Sequence, residues 1–90
     1  MEKTKSLEQT VDLMLSNDYK ERFLAEYMQN RIRMNKLHFI IVHYDEPEIL
    51  GFKPDTPIYL LHKQYDLMAD LILLLEARAQ IENIDLRLKF

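Results

Sequence analysis

The chain has 90 residues, 48% of them hydrophobic and 30% charged, a formal net charge of -3, one glycine, three prolines and no cysteine. This composition describes one small folded domain and excludes a disulfide framework, a thiolate metal site and a disordered tail. The negative balance argues against general attraction to nucleic acid or anionic membrane. No apolar run reaches the roughly 18 to 20 residues of a membrane span, so a cytoplasmic chain is the default expectation.

In chain order, Leu7, Val11, Met14 and their neighbours Leu13 and Leu15 have helical spacing, which predicts a short helix over about 7–15 with Ser6 as its cap. The break "SND" follows, since Ser16, Asn17 and Asp18 compete for backbone hydrogen bonds. Asp18 with Glu21 three residues later has the capping-box pattern and predicts a long helix from Tyr19 to about Tyr44. Its apolar face runs Phe23, Tyr27, Met34, Leu37, Ile41 and Tyr44, flanked by Leu24, Met28, Ile40 and Val42, with Arg31 inside the stripe. A helix of that length, roughly 39 Å at 1.5 Å per residue, needs an antiparallel neighbour to cover it.

The connector, residues 45–56, and the Pro57 that follows it hold the single glycine and all three prolines. Ile49, Leu50 and Phe52 are expected to fold back and close one end of a helical pair. Thr56 as cap and Pro57 as first helical residue predict a second long helix over about 57–82. One stripe of that helix, Leu61, Tyr65, Met68, Ile72, Leu75 and Ala79, suits the first long helix. Beside it runs a second, Leu60, Leu67, Leu71, Leu74 and Ile81, interrupted by Arg78. Two stripes imply two neighbours: the first long helix, and either the N-terminal helix or a symmetry mate. The tail, residues 83–90, alternates Ile84, Leu86, Leu88 and Phe90 with charged residues, a pattern open to strand pairing, an arm on a partner, or a fraying end.

The fold class expected is therefore all-α: an antiparallel pair of long helices with a short N-terminal helix, completed by homo-oligomerisation into a helical bundle. The proposed oligomer surface is Leu67, Leu71, Leu74, Arg78 and Ile81. Charge is uneven along the chain. Residues 18–44 are net +2, residues 45–56 net -3 and residues 57–82 net -2, which suits antiparallel packing of the two rods but contributes modestly.

The stretch "NRIRMNK" places Arg31, Arg33 and Lys36 together without an acid, the best place for an anionic ligand or an acidic partner, although a solvated face is the commoner meaning of such a run. Tyr44 and Tyr59 flank the connector and are the tyrosines expected at a partner-facing end. His62, Asp66 and Asp70 recur at i, i+4 and i+8 and can share a helical side, but neither His38 nor His43 adds a recognised ligand spacing, so polar surface is the simpler reading. Arg78 in an apolar line demands a carboxylate, with Glu26 and Asp12 as candidates. There is no glycine-rich phosphate loop and no catalytic motif, so neither cofactor nor catalysis is expected.

The segments "DYKERFLAEYMQ", "LHFIIVHY" and "LLEARAQIENIDL" resemble a family of small helical proteins encoded by phages and prophages of Firmicutes, with Lys20 to Arg22, Lys36 to His38 and Leu75 to Glu82 at the recurring positions. That resemblance implies an accessory protein in the bacterial host cytoplasm, without catalytic residues. Its expected action is binding a host protein, for instance as a defence inhibitor. The alternatives are oligomeric capture of a nucleotide or other small anionic signalling molecule, or a DNA-associated structural role.

Overall fold

The structure, a computed structural model, describes residues 7–86; Ser6 and the alternating positions beyond Leu86 lie outside the described residues. A 3₁₀ turn, Leu7–Thr10, leads into α1, Val11–Met14; α2 spans Tyr19–Val42, a single turn α3 spans Pro47–Leu50, and α4 spans Ile58–Glu82. The fold is all-helical, with α2 and α4 as an antiparallel pair and the short N-terminal helix beside them.

Asp18 starts α2 as its sequence pattern predicts, its Oδ1 accepting from Lys20 N at 2.9 Å. The reciprocal bonds of the capping box do not form: the Asp18 side chain takes the Lys20 amide rather than that of Glu21, and the Asp18 backbone N–H donates to Ser16 Oγ at 3.0 Å rather than to Glu21. The helix closes at Val42, two residues early, where the His43 and Tyr44 amides turn back to Phe39 and Ile41 carbonyls and so satisfy the end of the ladder.

The connector differs from expectation in two ways. Gly51, at φ +81, ends α3 in the left-handed region that a residue without Cβ adopts freely, and it leaves Ile49 and Phe52 exposed rather than folded back. Thr56 makes no cap. Pro57, with ψ 142, is still extended and serves as the N-cap, so the helical ladder starts one residue later at Ile58 with the Pro57 carbonyl accepting from Leu60.

α2 is the central element because two of its sides are apolar. Phe23 and Tyr27 face α4 and join Ile72, Leu75, Ala79 and Ile84 in the main core. On another side Ala25, Met28 and Ile32 are buried where the 3₁₀ turn and α1 pack on α2. Thr10 anchors that buttress: fully buried, it donates to Leu7 O at 2.6 Å and accepts from Gln29 Nε2 at 2.8 Å.

The tail does not fray at its start. Asn83 takes the left-handed conformation (φ 63), and the amides of Asn83 and Ile84 both return to Ala79 O, with the Ile84 side chain landing in the core beside Ala79. This is a Schellman-type ending with its usual apolar contact. Leu86 packs against the same cluster.

Candidate functional site

Two arginine knots tie α2 to α4. In the first, the buried Tyr27 hydroxyl donates to Glu76 Oε2 at 2.5 Å and accepts from Arg31 Nη1 at 2.8 Å, while Arg31 and Glu76 approach to 3.9 Å. Burial, then the hydrogen bond to Glu76, push the Tyr27 hydroxyl above its ordinary pKa, and Arg31 opposes the shift. In the second, Arg78 bonds Glu82 Oε2 at 3.1 Å and the Tyr19 hydroxyl at 2.7 Å, and that hydroxyl donates to Glu82 Oε1 at 2.8 Å. The bond to Glu82 raises the Tyr19 pKa, and the same bond, with help from Arg78, holds Glu82 below the usual carboxylate range. Lys20 Nζ closes this end on Asn83 O at 3.2 Å.

These knots reassign several residues singled out in the sequence. Arg31 is drawn against α4 and does not stand with Arg33 and Lys36, both of which are exposed on α2. Arg78 takes its carboxylate from Glu82 one turn on; Glu26 contributes only at a distance, and Asp12 is not its partner. The spacing Arg78 to Glu82 was readable as an i, i+4 pair. Glu76 could be found only from the pairing of the two helices, and Tyr19 likewise.

Tyr44 spans the connector by donating to Thr56 O at 2.6 Å, which makes it a strut of the turn. It also lines a shallow cleft with Asp45, Pro47, Lys53 and Pro54, which takes in neither Arg33 nor Lys36. Tyr59 is 69% exposed at the first turn of α4. His62, Asp66 and Asp70 are all exposed, and among the described residues no group of three His, Asp or Glu side chains is placed to hold a metal. No helix among them is long and apolar enough to cross a membrane.

The second stripe of α4 divides. Leu71 is half-buried and packs on the core, and the Arg78 guanidinium lies 5.0 Å from the centre of the Phe23 ring. Leu60, Leu67, Leu74 and Ile81 stay at the surface, 46, 58, 56 and 84% exposed. The buttress that could have covered them sits on α2 instead.

These features define a class: an all-helical protein built on one antiparallel hairpin of long helices, locked by arginine knots and carrying exposed cationic and apolar surfaces. A family model described as Sequestin matches residues 17–81, about seven-tenths of the chain, and the chain belongs to the Sequestin family. The matched span runs from the break before α2 to the last turn of α4, so the family pattern coincides with the hairpin. No curated protein and no solved structure matches the chain.

Proposed function

We propose that the chain is a non-catalytic binding protein that captures an anionic target stoichiometrically. The observation that carries the reading is the division of labour among its cations. Arg31 and Arg78 are committed to carboxylates within the hairpin, whereas Arg33 and Lys36 are exposed and make no ion pair among the described residues. Three residues apart on a helix, their side chains are neighbours, about 5 to 6 Å between Cβ atoms, and can converge on anionic oxygens.

The target takes one of two forms with this shared chemistry. The leading form is the acidic face of a host protein, which follows from the phage-family resemblance and makes the chain an accessory protein that blocks a host defence. The second is a nucleotide or other small anionic signalling molecule. It is favoured by the same exposed cations; capture is also consonant with the family's name, Sequestin.

The test uses Arg33→Glu with Lys36→Glu, because Arg31→Glu would also break the knot with Glu76. Calorimetric titration with cyclic and linear nucleotides, and affinity capture from host lysate, are run on both proteins. Specific binding in either arm that falls at least about tenfold in the double variant, equal to about 1.4 kcal/mol, supports the reading when helicity is unchanged. Equal binding by the two proteins, or none by either, refutes it.

A further inference from the structure

Leu60, Leu67, Leu74 and Ile81 recur every seven residues, so they form a line along α4 roughly 31 Å long at 1.5 Å per residue. Leu75 and Ile72, on the buried side, belong to the seam with α2. Leu74 and Leu75 are consecutive, so the two seams lie about 100° apart around the axis. That is the angle at which a corner helix of a four-helix bundle meets two different neighbours. α2 is the first neighbour, and none of the described elements supplies the second.

We propose that the second neighbour is α4 of another copy of this chain, packed antiparallel about a twofold axis beside Leu67, with Lys63 of each subunit facing Asp70 of the other. Lys63 and Asp70 are both exposed, both flank the apolar line, and neither makes an ion pair among the described residues. Because they are seven residues apart, an axis midway between them satisfies both pairs at once. The same axis sets Leu67 against its own copy and Leu60 against Leu74 of the partner subunit.

A parallel arrangement forms neither pair: its axis runs along the helices, so the flank that carries Lys63 and Asp70 faces the opposite flank of the partner subunit's helix. The inference is independent of the capture reading, since the seam lies on α4 whereas Arg33 and Lys36 lie on α2.

Sedimentation equilibrium tests it on the full chain. The expected mass is twice the 10.9 kDa of the chain. Leu67→Glu and Leu74→Glu each raise the dimer dissociation constant at least about thirtyfold with helicity unchanged. Leu73→Glu, at a residue 64% exposed but off the seam, leaves the dimer intact. Lys63→Glu and Asp70→Lys each weaken self-association by about threefold to tenfold, and mixing the two single variants restores a heterodimer of wild-type affinity. A chain that stays monomeric at all concentrations overturns the proposal, as does a dimer that survives both leucine variants. A dimer lost on leucine substitution but insensitive to both charge variants, alone and mixed, overturns the antiparallel register.

Discussion

Replacing Tyr27 by phenylalanine isolates the work of one buried hydroxyl. The ring remains, so its packing against the Phe23, Ile72 and Leu75 cluster is retained. The losses are the hydrogen bond donated to Glu76 at 2.5 Å and the one accepted from Arg31 at 2.8 Å. Hydrogen bonds to charged groups contribute about 1.5 to 3 kcal/mol each. The Glu76 side chain is 40% exposed and that of Arg31 25%, so water replaces part of what the hydroxyl supplied. A net cost of about 1 to 2 kcal/mol follows, which lowers the melting temperature of a domain this size by roughly 4 to 15 °C. Thermal and urea unfolding followed by far-ultraviolet circular dichroism measure it. A double-mutant cycle with Glu76→Gln should return a coupling of about 1 kcal/mol. Tyr19→Phe, in the exposed knot, should move the melting temperature by less than a third as much. An unchanged or raised melting temperature for Tyr27→Phe, or equal shifts for the two tyrosines, would refute the argument that burial makes the inner knot the stronger tie.

The pH dependence of stability has a defined sign at each end. Tyr27 and Tyr19 are held above the ordinary value of 10.0, so the folded chain keeps protons that the unfolded chain releases; their contribution is complete below pH 10 and declines as pH rises through the folded values. Glu82 is held below 4.5, so its contribution is present above that pH and is lost as pH falls through the folded value. Melting temperatures measured across this range should be flat between the two limbs, and Tyr27→Phe should reduce the alkaline decline. Asp18→Ala removes the side-chain cap of α2 and should cost about 1 kcal/mol in urea unfolding, with no change in oligomeric mass.

The long helices were legible because their ends are written in residues with strong backbone consequences. Asp18 supplies a cap, and Pro47, Gly51, Pro54 and Pro57 punctuate the only long break. Other features depend on geometry that no local pattern encodes. The direction of Ile49 and Phe52 is set by the left-handed turn at Gly51, and the sequence shows only that they are apolar. The alternation of Ile84 and Leu86 reads as a strand until Asn83 reverses the chain, which sends Ile84 back onto Ala79. The buttress does have a signal in the sequence: Ala25, Met28 and Ile32 have helical spacing on a second side of α2, and the small Ala25 marks a close approach there. That side is where the N-terminal segment packs.

That placement decides what the rest of the chain can do. A 3₁₀ turn and one turn of helix are enough to bury one side of one long rod, and they are used on α2. α4 has a second apolar side of the same character but no remaining segment among the described residues to cover it. A polar surface in its place would have served the hairpin equally well, because the knots and the Phe23 to Ile84 cluster already hold α2 and α4 together. Exposed leucines in heptad register add nothing to the folding of a single hairpin, and contiguous apolar surface favours association. The feature that stabilises the isolated chain least is therefore the one that points most directly to a second molecule, whereas the cations left over on α2 point to a different ligand on a different face.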